Sequence, residues 1–166
     1  MKLFYENKDY PNSVVYAEKV LNNSKTDDNV KSDAQIIIAR AAIQTGDEAK
    51  AHSAYAKLQT IAQGELAAEA LYYEAYFKNK DAKFETSNEI VQKLAKNYSG
   101  YKFFGAKGLI LMAKNFYGLK DSFQATYILD SVIQNFTDFP DVVSEAKTEL
   151  DRIKSEESKT NSSITN

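Results

Sequence analysis

Apolar residues recur at helical spacing along nearly the whole chain, and only two prolines and six glycines interrupt them. The pattern predicts nine helices or parts of helices. A first short piece covers 2–8, with Leu3 and Phe4 apolar, and a second covers about 11–23, with Pro11 in its first turn and Asn22, Asn23 and Ser24 closing it. Thr26 to Asn29 offers N-caps for a helix over about 29–45, which Gly46 ends. A helix from 47 to about 63 is predicted to stop at Gly64. Over 67–77, Ala68, Leu71, Tyr72, Ala75 and Tyr76 fall at i, i+3, i+4, i+7 and i+8, the stripe of a helix packed on one side. Helices over 84–97, 102–117, 122–136 and 140–157 follow, separated by Ser99-Gly100 and other turn residues and opened, in the last case, by Pro140.

These helices are not independent. Ser13, Ala51, Ser87 and Ala125 mark a small-residue step at intervals of 38, 36 and 38 residues. An Asp precedes each by four to six positions (Asp9, Asp47, Asp81, Asp121). A residue four later (Ala17, Tyr55, Val91, Leu129) and an apolar one three beyond (Val20, Leu58, Leu94, Val132) complete each copy. Self-similarity at this period is the signature of stacked helix pairs, in which function lies on a surface made by the stack. The expected layout is one domain over 1–157: a half repeat at 1–24, repeats at about 27–63, 64–99 and 101–137, and a capping helix at 140–157 with a polar outer face. Residues 158–166 have almost nothing to bury and are expected to be a disordered tail. Phe4 aligns with Ala42, Tyr76 and Phe116, which places Met1 inside a repeat. The chain therefore reads as the C-terminal piece of a longer array, with an apolar end at Leu3, Phe4 and Tyr5 that invites self-association.

Helix pairs with small residues at their crossing resemble the tetratricopeptide repeat. The resemblance rests on Ala51 with Tyr55, Ala125 with Leu129, and the turn Gly46-Asp47. The tryptophan and most of the leucine-glycine pair of that pattern are missing, and the intervals exceed 34 residues. The longer intervals, the run AAEALYYEAYF and the junctions Asn97-Tyr98-Ser99-Gly100 and Asn135 to Pro140 are similar to the subset found in bacterial cell-envelope proteins, such as the outer-membrane assembly lipoprotein and the Tol-Pal coordinator. The resemblance implies an all-α, right-handed superhelical solenoid of antiparallel helix pairs with a C-terminal capping helix, acting as a protein-binding scaffold. It favours a periplasmic or envelope location. In such arrays the first helix of each pair lines a concave groove, which points Ile36, Arg40, Ile43, Glu74, Phe77, Lys78, Lys107, Ile110, Lys114 and Tyr117 inward as a peptide site with apolar character and a basic excess.

Composition narrows the chemistry further. With 21 basic against 23 acidic side chains there is no long-range field to gather nucleic acid or anionic lipid, and only Arg40 and Arg152 are arginines. No apolar run reaches the roughly 20 residues of a membrane span. There is no cysteine, and His52 is the single histidine, so Cys-His and Ser-His-Asp sets and paired His ligands are absent from the sequence. His52 reads as a solvated helix residue. The pairs Glu85 with Glu89 and Glu145 with Glu149 lie one turn apart and read as wet helix faces. Gly105 and Gly108 lack the lysine and hydroxyl of a phosphate loop. Four Asn-x-Ser/Thr triplets begin at Asn22, Asn97, Asn135 and Asn161, and helix termination, helped by asparagine's tolerance of left-handed geometry, accounts for them before glycosylation does. The expectation is a binding protein without enzyme activity, cofactor or metal, with a protein or peptide partner and no nucleic acid. The alternatives are an RNA-binding helical-repeat module, which salt-sensitive retention on heparin or RNA would reveal, and a structural segment whose concave face packs on its own chain.

Overall fold

A computed structural model describes the backbone of residues 1–164 and side chains through residue 159. Nine α-helices and no strands occur among the described residues: α1 (Lys2–Glu6), α2 (Tyr10–Leu21), α3 (Asp28–Thr45), α4 (Glu48–Gln59), α5 (Gly64–Lys80), α6 (Phe84–Asn97), α7 (Lys102–Gly118), α8 (Ser122–Asn135) and α9 (Pro140–Ile164). The chain divides into two compact units, residues 1–74 and 75–166, with the boundary inside α5. In the first unit α1 and α3 pack on α2, and α4 packs on α3; in the second α7 packs on α6, and α8 and α9 close on α7.

The helix pairs share one turn, copied four times. A single residue in the left-handed region ends the first helix: Lys8 (φ 60°), Gly46 (φ 74°), Ala82 (φ 57°) and Lys120 (φ 68°). The next amide reaches back to a carbonyl five residues earlier, Asp9 to Phe4, Asp47 to Ala42, Lys83 to Lys78 and Asp121 to Phe116, at 2.8–2.9 Å. This is the bond that closes a helix C-terminus when a left-handed residue follows it. The residue making it then serves as the N-cap of the second helix. The turns recur at 38, 36 and 38 residues, the interval of the small-residue step. They also correct one alignment: the counterpart of Phe4, Ala42 and Phe116 is Lys78 rather than Tyr76.

Three of the four aspartates noted in the sequence cap their helices. Asp9, Asp47 and Asp121 accept from the amides of Asn12, Lys50 and Gln124 at 2.9–3.2 Å, each worth about 1 kcal/mol by the usual cost of losing such a cap. Asp81 does not, because the turn runs two residues later there. Lys83 takes the cap position without a side-chain cap, and Asp81 pairs with the Lys83 ammonium at 3.3 Å instead.

Ser13, Ala51, Ser87 and Ala125 are all fully buried. A second register of small residues lies on the other helices: Ala34, Ala70, Gly108 and Ala146, at intervals of 36, 38 and 38, are buried too. Gly108 shows why bulk is excluded. A Cβ there would sit 3.2 Å from Val91 Cγ1 and 3.3 Å from Leu94 Cδ2. In the second unit Ile110, Leu129, Val132, Val142, Leu150 and Ile153 fill the space around these close approaches.

Element boundaries differ from the predicted ones in three places. Gly64 adopts φ 58° and opens α5 rather than stopping α4, which ends four residues before the predicted 63. The sequence signal is the same, a glycine in the left-handed region, but the turn uses it on the entry side. The helix α5 extends three residues past each predicted end. The last helix continues through Ile164, seven residues beyond the expected 157, since no glycine or proline stops it and Arg152 bridges Glu149 and Glu156 along its face. Residues 165 and 166 of the expected disordered tail lie outside the described residues. At Asn22, Asn97 and Asn135 second helices end or are capped, but none of the three is left-handed; Asn22 has φ −77°.

Candidate functional site

Because α3, α5 and α7 are the first helices of their pairs, the ten residues of the predicted groove all lie on them. Their burial divides them. Ile36, Phe77 and Ile110 are core residues, at most 7 % exposed. Arg40, Ile43, Glu74, Lys78, Lys107, Lys114 and Tyr117 are partly exposed. Three apolar groove residues, one on each first helix, are thus spent on packing, while Ile43, Tyr117 and the charged ones reach the surface.

Those polar residues are mostly engaged within the chain. Arg40 donates from Nε to Glu69 Oε1 at 2.9 Å and from its terminal nitrogen to Oε2, a bidentate pair on a carboxylate that is almost fully buried. The Tyr55 hydroxyl donates to the same Oε1 at 3.0 Å, and its ring stacks on Tyr73 with centroids 4.0 Å apart. The hydrogen bond to Glu69 holds the Arg40 guanidinium above its already high pKa, against burial. Burial first, and the Glu69 charge second, push the Tyr55 phenol well above 10.0. Glu74 accepts from Gln59 Nε2 at 2.7 Å.

In the second unit Lys107 and Lys114 both approach Glu145 of α9, Lys114 at 3.8 Å. The Tyr117 hydroxyl donates to Glu156 at 2.9 Å while the Arg152 guanidinium lies 5.1 Å over its ring. The hydrogen bond to Glu156 raises the Tyr117 pKa, and Arg152, then Tyr117, lower that of Glu156. The repeat register relates the two sets of contacts. Arg40 and Lys114 occupy the same position in their first helices, and Glu69 and Glu145 the same position in the helices that follow. A cation of one first helix reaching an acid of the next is therefore a recurring staple, formed by Lys2 with Asp33 at 2.6 Å and Arg40 with Glu69 in the first unit and by Lys114 with Glu145 in the second.

A buried amide cluster was not foreseen. Asn115, fully buried on α7, donates from Nδ2 to Ser87 Oγ and Asn88 Oδ1, both at 2.8 Å, and accepts from Asn79 at 2.7 Å. Ser87 donates onward to the Ala75 carbonyl at 2.8 Å. Among the described residues no buried side-chain polar atom lacks a partner. Glu69 and Asn115 escaped the sequence reading because a polar residue on a helix reads as solvated; the register finds Asn115, whose counterparts Ala41 and Phe77 are buried, but not Glu69, whose counterparts Asp33, Lys107 and Glu145 are only partly buried.

Two cavities of about 550 and 370 Å³ open in the first unit, and none of the ten predicted groove residues lines either. Their walls come from α2 and α4 and their floor from α3, with Glu18 and Lys50 shared between them and paired at 3.7 Å. His52 is exposed on α4. No cluster of three or more His, Cys, Asp or Glu suited to a metal occurs among the described residues. Glu145 is engaged by Lys107 and Glu149 by Arg152. No helix among the described residues is long and apolar enough to cross a membrane.

No family model and no curated protein matches this chain. Its functional reading rests on the repeat geometry and on the resemblance of its helix pairs.

Proposed function

We propose that the chain is a non-catalytic protein-interaction scaffold of tetratricopeptide type, a solenoid of helix pairs that holds a peptide or helical segment of a partner along its first-helix wall. The observation that supports this is the turn copied at Lys8, Gly46, Ala82 and Lys120, in register with two series of buried small residues. A repeated unit of this kind keeps its sequence freedom for the exposed positions of the first helices. In this reading Ile43 and Glu74 are contact residues of the first unit and Lys78 one of the second, since they remain partly exposed, while Ile36 in the first unit and Phe77 and Ile110 in the second lie beneath the wall of their own unit. The resemblance to envelope members of the family is what suggests a periplasmic or envelope setting.

The test is binding of acidic amphipathic helical peptides, followed by fluorescence anisotropy, to the parent protein and to Ile43→Glu with Lys78→Glu. A loss of at least tenfold in affinity with an unchanged melt supports the wall; unchanged affinity removes it.

A second reading, a structural segment that packs on its own chain, has its own support. Arg40, Lys107 and Lys114, three of the four cations of the predicted groove, are paired with Glu69 or Glu145. If Lys114→Met lowers stability and leaves peptide affinity unaltered, this staple role is the correct one for that position.

A further inference from the structure

The first unit contains open space that the repeat itself does not require. Its two cavities share Glu18 and Lys50 and continue one another along α2 and α4, over a floor of α3. The register shows how the groove arises. Ala41, Ala42 and Ala54 line it, and their counterparts two copies later are Asn115, Phe116 and Ile128. In the second unit those bulkier side chains are put to use: Phe116 and Ile128 pack against the core, and Asn115 reaches Asn88 of α6 at 2.8 Å. Three alanines in the first unit leave the corresponding volume open.

The chemistry of the groove changes along its length. Near the α3–α4 turn its lining is largely apolar, from Tyr10, Val14, Val15, Ala41 and Ala42. At the far end Gln35 lies in the floor, only 5 % exposed, and donates from Nε2 to the Ala54 carbonyl at 3.1 Å, which fixes the orientation of its amide. Gln35 Oε1 accepts no hydrogen bond, and no side-chain polar atom closed to solvent lacks a partner among the described residues, so this oxygen opens into the cavity. Glu18 and Lys50 pair across the groove at 3.7 Å, and the Asp47 carboxylate caps α4. Lys57, at the same end as Gln35, has no ion pair among the described residues.

We infer that this groove binds an extended peptide segment of a partner, with an apolar residue near the α3–α4 turn, a backbone N–H on Gln35 Oε1 and an acidic side chain at Lys57. A buried acceptor on the floor calls for a donor, which a peptide backbone supplies and a simple amphiphilic carboxylate lacks. The α4 rise from Asp47 to Lys57 is about 15 Å, the length of four to five extended residues at about 3.3 Å each. An α-helix about 10 Å across would displace about 1,200 Å³ over that length, more than cavities of about 550 and 370 Å³ hold together. None of Ile43, Glu74 and Lys78 lines the groove, so it is a site separate from the first-helix wall.

Amide-resolved NMR titration of the full chain tests the site with two blocked pentapeptides, one with leucine first, glutamate last and serines between, the other its reverse. Thermal melts show that each variant is folded. At least one peptide is expected to give saturable shifts centred on Ala42, Ala54 and Lys57. Ala42→Phe, which installs the side chain that the second unit carries, weakens binding at least tenfold. Gln35→Met keeps the volume, removes the acceptor and weakens it at least threefold. Lys57→Glu, at an exposed position, does the same without touching the core. Shifts confined to Ile43 and Glu74, parent affinity in Lys57→Glu, or equal binding of a peptide with lysine in place of glutamate would each overturn the assignment. Hexanoate that shifts the same amides as strongly as the peptide would overturn it too, and would make the groove a site for small amphiphilic carboxylates.

Discussion

The two units solve the same packing problem with different polar chemistry. In residues 1–74 the polar device is charged: the buried Glu69 carboxylate holds Arg40 from one side and the Tyr55 hydroxyl from the other. In residues 75–166 it is neutral: the Asn115 amide gathers Asn79, Ser87 and Asn88. Both rest on the same turn and the same small-residue step. The repeat backbone therefore does not dictate which polar groups it buries, only that they be satisfied where they occur. Each unit accordingly responds in its own way to substitution and to pH.

The largest effect is expected at Glu69. Glu69→Ala leaves Arg40 and the Tyr55 hydroxyl without their shared acceptor, and costs about 3 kcal/mol, the low end for breaking a buried pair because the Arg40 side chain is itself partly exposed. A urea titration measures the loss, and hydrogen exchange localises it to residues 1–74. Asn115→Ala comes next, at about 2 kcal/mol, since it strands Asn79 and Asn88 in the second unit without leaving a charge unpaired. If the two losses proved equal, the contrast between charged and neutral clusters would carry no energetic weight.

The pH response sharpens the same contrast. Burial and Glu69 raise the Tyr55 pKa, so the stability supplied by the neutral phenol is complete below its ordinary value of 10.0 and is lost as pH rises from there toward the higher folded value. Tyr55→Phe costs about 1 kcal/mol at neutral pH for the lost hydrogen bond. It also flattens the alkaline limb of the stability curve, whereas Asn115→Ala leaves that limb as steep as in the parent. Thermal melts between pH 8 and pH 11 read both.

Much of the helix layout was legible in the sequence because apolar periodicity and the small-residue step are local signals, and the buried Ser13, Ala51, Ser87 and Ala125 bear them out. Asp81 shows the limit of reading by spacing: six residues ahead of Ser87 instead of four, it falls outside the cap position that Asp9, Asp47 and Asp121 occupy. The second small-residue series went unread because alanine is too common on helices to stand out, and Lys8, Ala82 and Lys120 because nothing in a lysine or alanine announces a left-handed backbone. The predicted groove was the least legible part. The resemblance placed its residues on first helices, but whether Arg40, Lys107 and Lys114 face a ligand or a neighbouring helix depends on the acids supplied by the next copy, Glu69 and Glu145.

The central claim is that one turn geometry recurs at positions 8, 46, 82 and 120, three times with a side chain that the left-handed backbone strains. Glycine scanning at those positions tests it most directly by thermal unfolding. Ala82→Gly and Lys120→Gly are each expected to stabilise the chain by up to about 1 kcal/mol, which for a chain of this size is a rise of about 2–4 °C, and Gly46→Ala to destabilise it by a similar amount. Melting temperatures that fall with Ala82→Gly and Lys120→Gly, or that do not move with Gly46→Ala, would contradict the repeated turn and with it the register on which the rest is built.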